Sequence, residues 1–163
     1  MKLRAYLDIE TTGLSRHYSD ITVIGIAIEE NRRLKVYQLL EDTLTDKKLI
    51  STLRQADHIY TYNGSRFDLP FIRAKFGINL AKEFCHTDLM YNCWGNNLKG
   101  GLKAVEHLLG IERKLKGIDG FMAVKLWRDY KNNNDEDALK TLLEYNREDI
   151  TNLAILRKKL KVI

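Results

Sequence analysis

At 163 residues, with 44% hydrophobic and 30% charged side chains, the chain has the length and composition of one globular domain, which argues against a disordered or fibrous class. A formal net charge of +5 and an isoelectric point near 9.1 favour a polyanionic partner such as nucleic acid. There is no apolar run of about 18 residues for a membrane span. No signal peptide precedes the first strand, and Cys85 and Cys93 fit no disulfide or zinc spacing, so a reduced, cytoplasmic protein is expected.

In chain order, Leu3 to Ile9 is predicted as a strand. Ile21 to Glu29, rich in β-branched residues, is a second, and Leu34 to Leu39 a third after a polar turn. Leu49, Ile50, Leu53 and Ala56 give 44–56 helical spacing. A fourth strand is expected over His58 to Tyr62, then a helix from Phe67 to Phe76 with Pro70 in its first turn and Gly77 as its stop. Phe84 to Thr87 is a short fifth strand, with Thr87 or Asp88 capping the helical stretch that begins at Leu89. Helices are predicted at Leu102 to Leu109, at Phe121 to Tyr130 and from Asp137 to Leu160, the last divided by Asn146. The order implies one α/β domain over 1–163, with a mixed sheet of about five strands flanked by helices.

Asp8 and Glu10 stand two residues apart in an otherwise apolar strand, so they project from one face. Two adjacent carboxylates repel and resist desolvation unless a cation lies between them. A divalent ion with oxygen ligands, magnesium or manganese, answers that need. Asp68 sits at a strand-to-helix junction, a common ligand position in α/β folds. Tyr145 and Asp149, four residues apart on a helix, share a face, whereas Glu148 is turned by about 100°. Four carboxylates balance two divalent cations, the arrangement of two-metal phosphoryl transfer. Tyrosine, with a pKa of about 10, is a poor base at neutral pH. Tyr145 therefore needs only to orient an already acidified water.

These residues fall in stretches that resemble a known family. Asp8-Ile9-Glu10-Thr11-Thr12-Gly13-Leu14 is similar to the first motif of the DEDD 3′–5′ exonucleases. Tyr62-Asn63-Gly64-Ser65-Arg66-Phe67-Asp68-Leu69-Pro70-Phe71 resembles the second motif as it occurs in family B polymerase proofreading domains. Tyr145 to Asp149 matches the third in its tyrosine (DEDDy) form, and 101–111 is similar to the YprB-like, ribonuclease H-like group. The resemblance implies a ribonuclease H-like fold, two Mg²⁺ or Mn²⁺ ions, and release of nucleoside 5′-monophosphates from single-stranded 3′ ends, DNA favoured over RNA. It implies that Asp8 bridges both metals, Glu10 and Asp149 complete one shell, and Asp68 supports the other. It further implies that Tyr145 orients the attacking water and that Thr11, Thr12, Gly13 and Leu14, with Asn63 and Lys103, bind substrate. No polymerase domain is visible, so proofreading is not implied.

The competing readings are a non-catalytic nucleic-acid-binding or protein-interaction module, and a structure-selective endonuclease on the same fold. Locally, Asp68 can serve as a helix cap, and Arg16 and His17 can reach a phosphate. Lys99, Lys103, Arg113, Lys114 and Lys116 read first as a solvated loop, with a nucleic-acid track as the second option.

Overall fold

The computed structural model describes residues 3–163. Its sheet has the strand order β3-β2-β1-β4-β5, built from β1 (Arg4–Thr11), β2 (Ile21–Glu30), β3 (Arg33–Leu39), β4 (His58–Thr61) and β5 (Cys85–Asp88). β1 pairs antiparallel with β2 and parallel with β4, so the sheet is mixed and β1 is central. β2 is buried along nearly its whole length, consistent with its richness in β-branched residues. The helices among the described residues are α1 (Asp46–Leu53), α2 (Asp68–Phe76), α3 (Leu80–Glu83), α4 (Leu89–Gly95), α5 (Leu102–Leu108), α6 (Gly120–Asn133) and α7 (Glu136–Lys159). None is long and apolar enough to cross a membrane.

Alternation along β1 sorts its side chains between two cores. Ala5, Leu7 and Ile9 join Leu49 and Leu53 of α1 and Phe71 and Ile72 of α2. Tyr6, one residue out of phase, packs with Leu89, Val105, Ile150, Leu153 and Leu156 from α4, α5 and α7. Asp8 and Glu10 share the phase of Tyr6 and so belong to the α7 face. Burying each of Ile150, Leu153 and Leu156 stabilises the docked helix by roughly 1.5–3 kcal/mol. That packing fixes where α7 holds its polar residues.

The helix ends follow local chemistry. Thr45, Asp88, Asp119 and Asp135 each accept a bond from an N-terminal backbone amide of α1, α4, α6 and α7. Gly77 ends α2 in the left-handed conformation at φ 71°. Arg157, Lys158 and Lys159 occupy the last turn of α7, where cations complement the helix dipole.

The expected break at Asn146 is absent: α7 runs unbroken from Glu136 to Lys159. Asparagine disturbs a helix when its amide competes for nearby backbone. Here the amide is fully buried and engaged by the sheet, accepting from Gln38 Nε2 at 3.0 Å and donating to Asp8 Oδ2 at 3.3 Å. The expected 44–56 helix is shorter, a 3₁₀ turn at Glu41–Thr43 preceding α1.

Candidate active site

Three carboxylates from two elements converge. Asp8 and Glu10 of β1 and Asp149 of α7 each offer an oxygen, all within 4.8 Å of one another. β1 loses regular register with β2 between Glu10 and Thr11, so the strand bends away just after its second acid. Asp68 joins from the opposite edge of β1. The ladder between β1 and β4 runs only to Tyr6 and Tyr60. Farther along β1, the amide of Ile9 donates instead to Asp68 Oδ1 at 3.0 Å. The carboxylate of Asp68 thus takes the place of a missing strand acceptor and is held beside Asp8.

Charge is under-compensated here. Burial, then the charges of Asp149, Asp68 and Glu10, pushes the carboxyl of Asp8 well above the usual range. Glu10 is raised likewise by burial and by Asp149, and its Oε1 is buried with no hydrogen-bond partner among the described residues. Burial raises Asp68 to about 7 against the amide bond from Ile9. Asp149 is raised by burial to about 6, the Arg113 guanidinium holding it down. An orphaned carboxylate oxygen among hard oxygen donors is the environment a divalent cation fits. The donor set therefore suits a divalent metal at Asp8, Glu10 and Asp149.

Two side chains organise the trio without belonging to it. Asn146 donates to Asp8, and it fits because Gly25, the residue paired with Asp8 across the sheet, has no side chain. A Cβ at Gly25 would overlap the Asn146 carboxamide. Arg113, from the loop after α5, bonds Asp149 through Nη2 and Glu106 through Nε and Nη2. Glu106 is almost fully buried and also accepts from Asn152 Nδ2 at 3.3 Å. The sequence alone leaves Arg113 in a basic loop, unconnected to Asp149, 36 residues on. Nothing in the spacing signals that pair. Asn146, adjoining Tyr145, is the one readable hint. Glu148 points away as expected, accepting from the amide of Lys114 at 3.0 Å.

Tyr145 and Asp149 line an open cavity of about 770 Å³ with Asp8, Glu10 and the 11–14 turn. Burial and the nearby carboxylates push the Tyr145 phenol further up, so it stays protonated and can donate. Leu14, 84% exposed, stands at one lip, and Phe121 of α6, 87% exposed, lines the same cavity. Sequence patterning does not single out Phe121, Lys125 or Arg128, because an exposed aromatic on a helix has no distinguishing pattern. The Thr11 and Thr12 hydroxyls serve the loop itself, Thr11 donating to Gly13 O at 2.7 Å and Thr12 accepting from the Asp20 amide at 2.9 Å. Thr11, Thr12, Gly13 and Leu14 all line the cavity. Asn63 lies outside the lining, in a left-handed turn at φ 61° whose amide donates to Asp88 Oδ1 at 2.8 Å. Lys103 sits with Nζ 4.6 Å above the Tyr145 ring and donates to Ile118 O. Asp88 is the cap expected, accepting from Met90 N at 3.1 Å, and it also braces the turn before Asp68 through Asn63 and Ser65.

A mixed five-stranded sheet whose central strand bears paired acids, met by a C-terminal helix bearing a third, defines the ribonuclease H-like α/β class. The chain belongs to the RNase_H superfamily, whose family model matches residues 5–161. It is similar to the uncharacterized protein YprB of Bacillus subtilis (strain 168), 31% identical over 93% of this chain and 40% of that protein. Among solved structures it resembles the family B DNA polymerase of the archaeon Pyrobaculum calidifontis, with a TM-score of 0.71 and 16% identity, covering 99% of this chain and 25% of the polymerase. It also resembles Brucella melitensis NrnC bound to pGG, with a TM-score of 0.60 and 18% identity over 97% of this chain and 73% of NrnC. The chain thus spans less than half the length of the curated relative and a quarter of the polymerase.

Proposed function

We propose that residues 1–163 form a single metal-dependent 3′–5′ exonuclease domain of the DEDDy type, acting on single-stranded ends with DNA favoured over RNA. The observation that carries this reading is the meeting of Asp8, Glu10 and Asp149 within 4.8 Å at the floor of an open cavity. The resemblance of the three motifs and the likeness to NrnC bound to pGG support it. The free thiols of Cys85 and Cys93 are in keeping with a cytoplasmic setting.

Asp8, Glu10, Asp68 and Asp149 would hold two divalent ions, Mg²⁺ or Mn²⁺. When bound, such a pair stabilises the attacking and leaving oxygens of an in-line displacement. The chain's own groups do the rest. Leu14 and Phe121 flank the cavity mouth and can take the terminal base between them, which requires a base already free of its duplex partner. The 11–14 turn offers backbone to the terminal nucleotide. Lys125 and Arg128 line the α6 wall with positive charge for its phosphate. Tyr145, protonated, donates to the attacking water and fixes its lone pair toward phosphorus. Water's oxygen bonds to phosphorus and gives up a proton to solvent, the bond to the O3′ of the preceding nucleotide breaks, that O3′ takes a proton from solvent to become a hydroxyl, and a nucleoside 5′-monophosphate leaves. Lys103, above the Tyr145 ring, keeps positive charge near Glu10 and Asp149, and Asn63 contacts the strand from the turn before α2.

End-labelled single-stranded DNA and RNA with Mg²⁺ test this directly. Stepwise loss from the 3′ end is expected, with no cutting of circular single strands and none by Asp8→Ala. Equal degradation by Asp8→Ala would overturn the reading. Tyr145→Phe should slow turnover on the order of 10²-fold with Mn²⁺ affinity unchanged by calorimetry.

A further inference from the structure

Beyond the catalytic cavity two more openings continue along the outer side of α2. The first, about 270 Å³, shares Leu14 and Phe67 with the catalytic cavity and is also lined by Arg16, His17 and Arg66. The second, about 550 Å³, shares Arg16 with the first and adds Arg73 and His86. Each opening adjoins the next at these shared lining residues, so together they mark out a groove leading away from the carboxylates. Among the described residues no carboxylate lines either outer opening.

Three arginines line the two outer openings, Arg16, Arg66 and Arg73. Arg16, Arg66 and Arg73 are exposed, and none has a side-chain hydrogen bond or ion pair among the described residues. Several cations elsewhere are held by acids: Arg113 by Glu106 and Asp149, Arg157 by Glu29, Lys125 by Asp129, Lys131 by Glu41. The basic loop that the sequence offers as a nucleic-acid track turns two of its cations inward, Lys103 and Arg113. A row of unpaired guanidinium groups, with no acid to repel a phosphate, suits a chain of phosphodiesters.

We propose that this groove along α2 binds the sugar–phosphate backbone of the single strand upstream of the scissile nucleotide, with Arg16, Arg66 and Arg73 as phosphate contacts. The proposal rests on the exonuclease reading for where the 3′ end lies. The groove makes binding depend on strand length: a dinucleotide fills the catalytic cavity alone, and longer strands add the arginine contacts.

The test compares the parent with the triple variant Arg16→Ala, Arg66→Ala, Arg73→Ala and with the corresponding Arg→Lys triple. Fluorescence anisotropy with a labelled dodecathymidylate, in EDTA and over a salt series, reads binding apart from turnover. Each lost phosphate contact lowers the slope of log K against log salt by about 0.7 for single strands. The alanine triple should lower it by about 2 and weaken binding at least about tenfold, and the lysine triple should restore the slope. With Mg²⁺, the alanine triple should cleave thymidine dinucleotide at the parent's rate and dodecathymidylate with a raised KM. Unchanged affinity and slope in the alanine triple overturn the groove. Equal loss on dinucleotide and dodecamer also overturns it, because the arginines would then act on the catalytic cavity or the fold. A parent that binds the dodecamer but cleaves nothing overturns the exonuclease reading and leaves the salt-slope comparison to judge the groove.

Discussion

Helix α7 meets the sheet at two polar clusters, and they have opposite electrostatics. Toward its C-terminal end, the buried carboxylate of Glu29 accepts from Tyr6 Oη at 2.6 Å and lies 2.8 Å from Lys158 Nζ and 3.4 Å from Arg157 Nη2. Arg157 Nε also donates to Tyr6 Oη at 2.7 Å. Burial alone would raise Glu29, but the Lys158 and Tyr6 bonds outweigh it and hold its carboxyl below the usual value. At the other cluster, near Asn146 and Asp149, burial raises Asp8 and Glu10, and Glu10 Oε1 has no hydrogen-bond partner among the described residues. The same helix and the same sheet face desolvate both sets. What differs is the supply of positive charge from the chain. A fold that neutralises one buried acid so fully can neutralise another, so the deficit at Asp8 and Glu10 marks a place reserved for a cation from outside.

The contrast can be broken by substitution. Asp8→Asn or Glu10→Gln should reduce nucleotide release on the order of 10³-fold or more. Without metal, the same variants should melt at or above the parent temperature, because repulsion is relieved. Calorimetry showing strong destabilisation would mean that these acids are structural, like Glu29. Next in size, Arg113→Ala removes the cation that ion-pairs directly with Asp149 and strands Glu106. It should cost roughly 10–100-fold in turnover or Mn²⁺ affinity, with Arg113→Lys in between because it cannot fork across two carboxylates. An Arg113→Ala protein with full metal affinity and rate would show that the ion pair positions nothing. Glu29→Gln should do the reverse: destabilise by about 2–3 kcal/mol in urea, since Arg157 loses its buried partner, with kcat unchanged. A drop in kcat at constant fold would merge the two clusters.

The smallest effect is a pH dependence of the metal-free fold. Asp68, at about 7, and Asp149, at about 6, are both raised above their unfolded value of 3.8, so the folded state holds protons more tightly. Their contribution to stability is complete below that unfolded value and is lost as pH rises through about 7. In EDTA the melting temperature should therefore fall by a few degrees from pH 5 to pH 8. Saturating Mn²⁺ should flatten or invert that slope. A melting temperature that climbs across this window in EDTA contradicts the charge deficit.

Much of this was legible in the chain. Alternation along Leu3 to Ile9 placed Asp8 and Glu10 on one face, and the apolar spacing of α7 brought Asp149 round to meet them. The predicted strands and helices followed periodicity: Gly77 ends α2 where expected, Thr45 caps α1 so that it begins at Asp46 rather than Leu44, and of the α-helices only the short α3 was not foreseen. The misses share one physical origin. Asn146 reads as a helix breaker until Gly25, more than a hundred positions earlier, opens a hole in the sheet for its amide. Arg113 reads as solvated loop until tertiary structure sets Glu106 and Asp149 against it. The groove arginines are spread over Arg16, Arg66 and Arg73, and only the packing of α2 beside the 11–20 loop lines them up. Such pairings arise from distance in three dimensions, which local periodicity does not encode.

The Asp8–Asn146 bond joins residues 138 positions apart, and this has a consequence during synthesis. Translation delivers the amino-terminal sheet first. The strand carrying Asp8 and Glu10 then exists for a time without the helix that supplies the third acid, the steadying amide and the tyrosine. Nascent and fragmentary forms therefore carry an incomplete carboxylate cluster, and on the proposed reading the centre becomes competent only once the last long helix has docked.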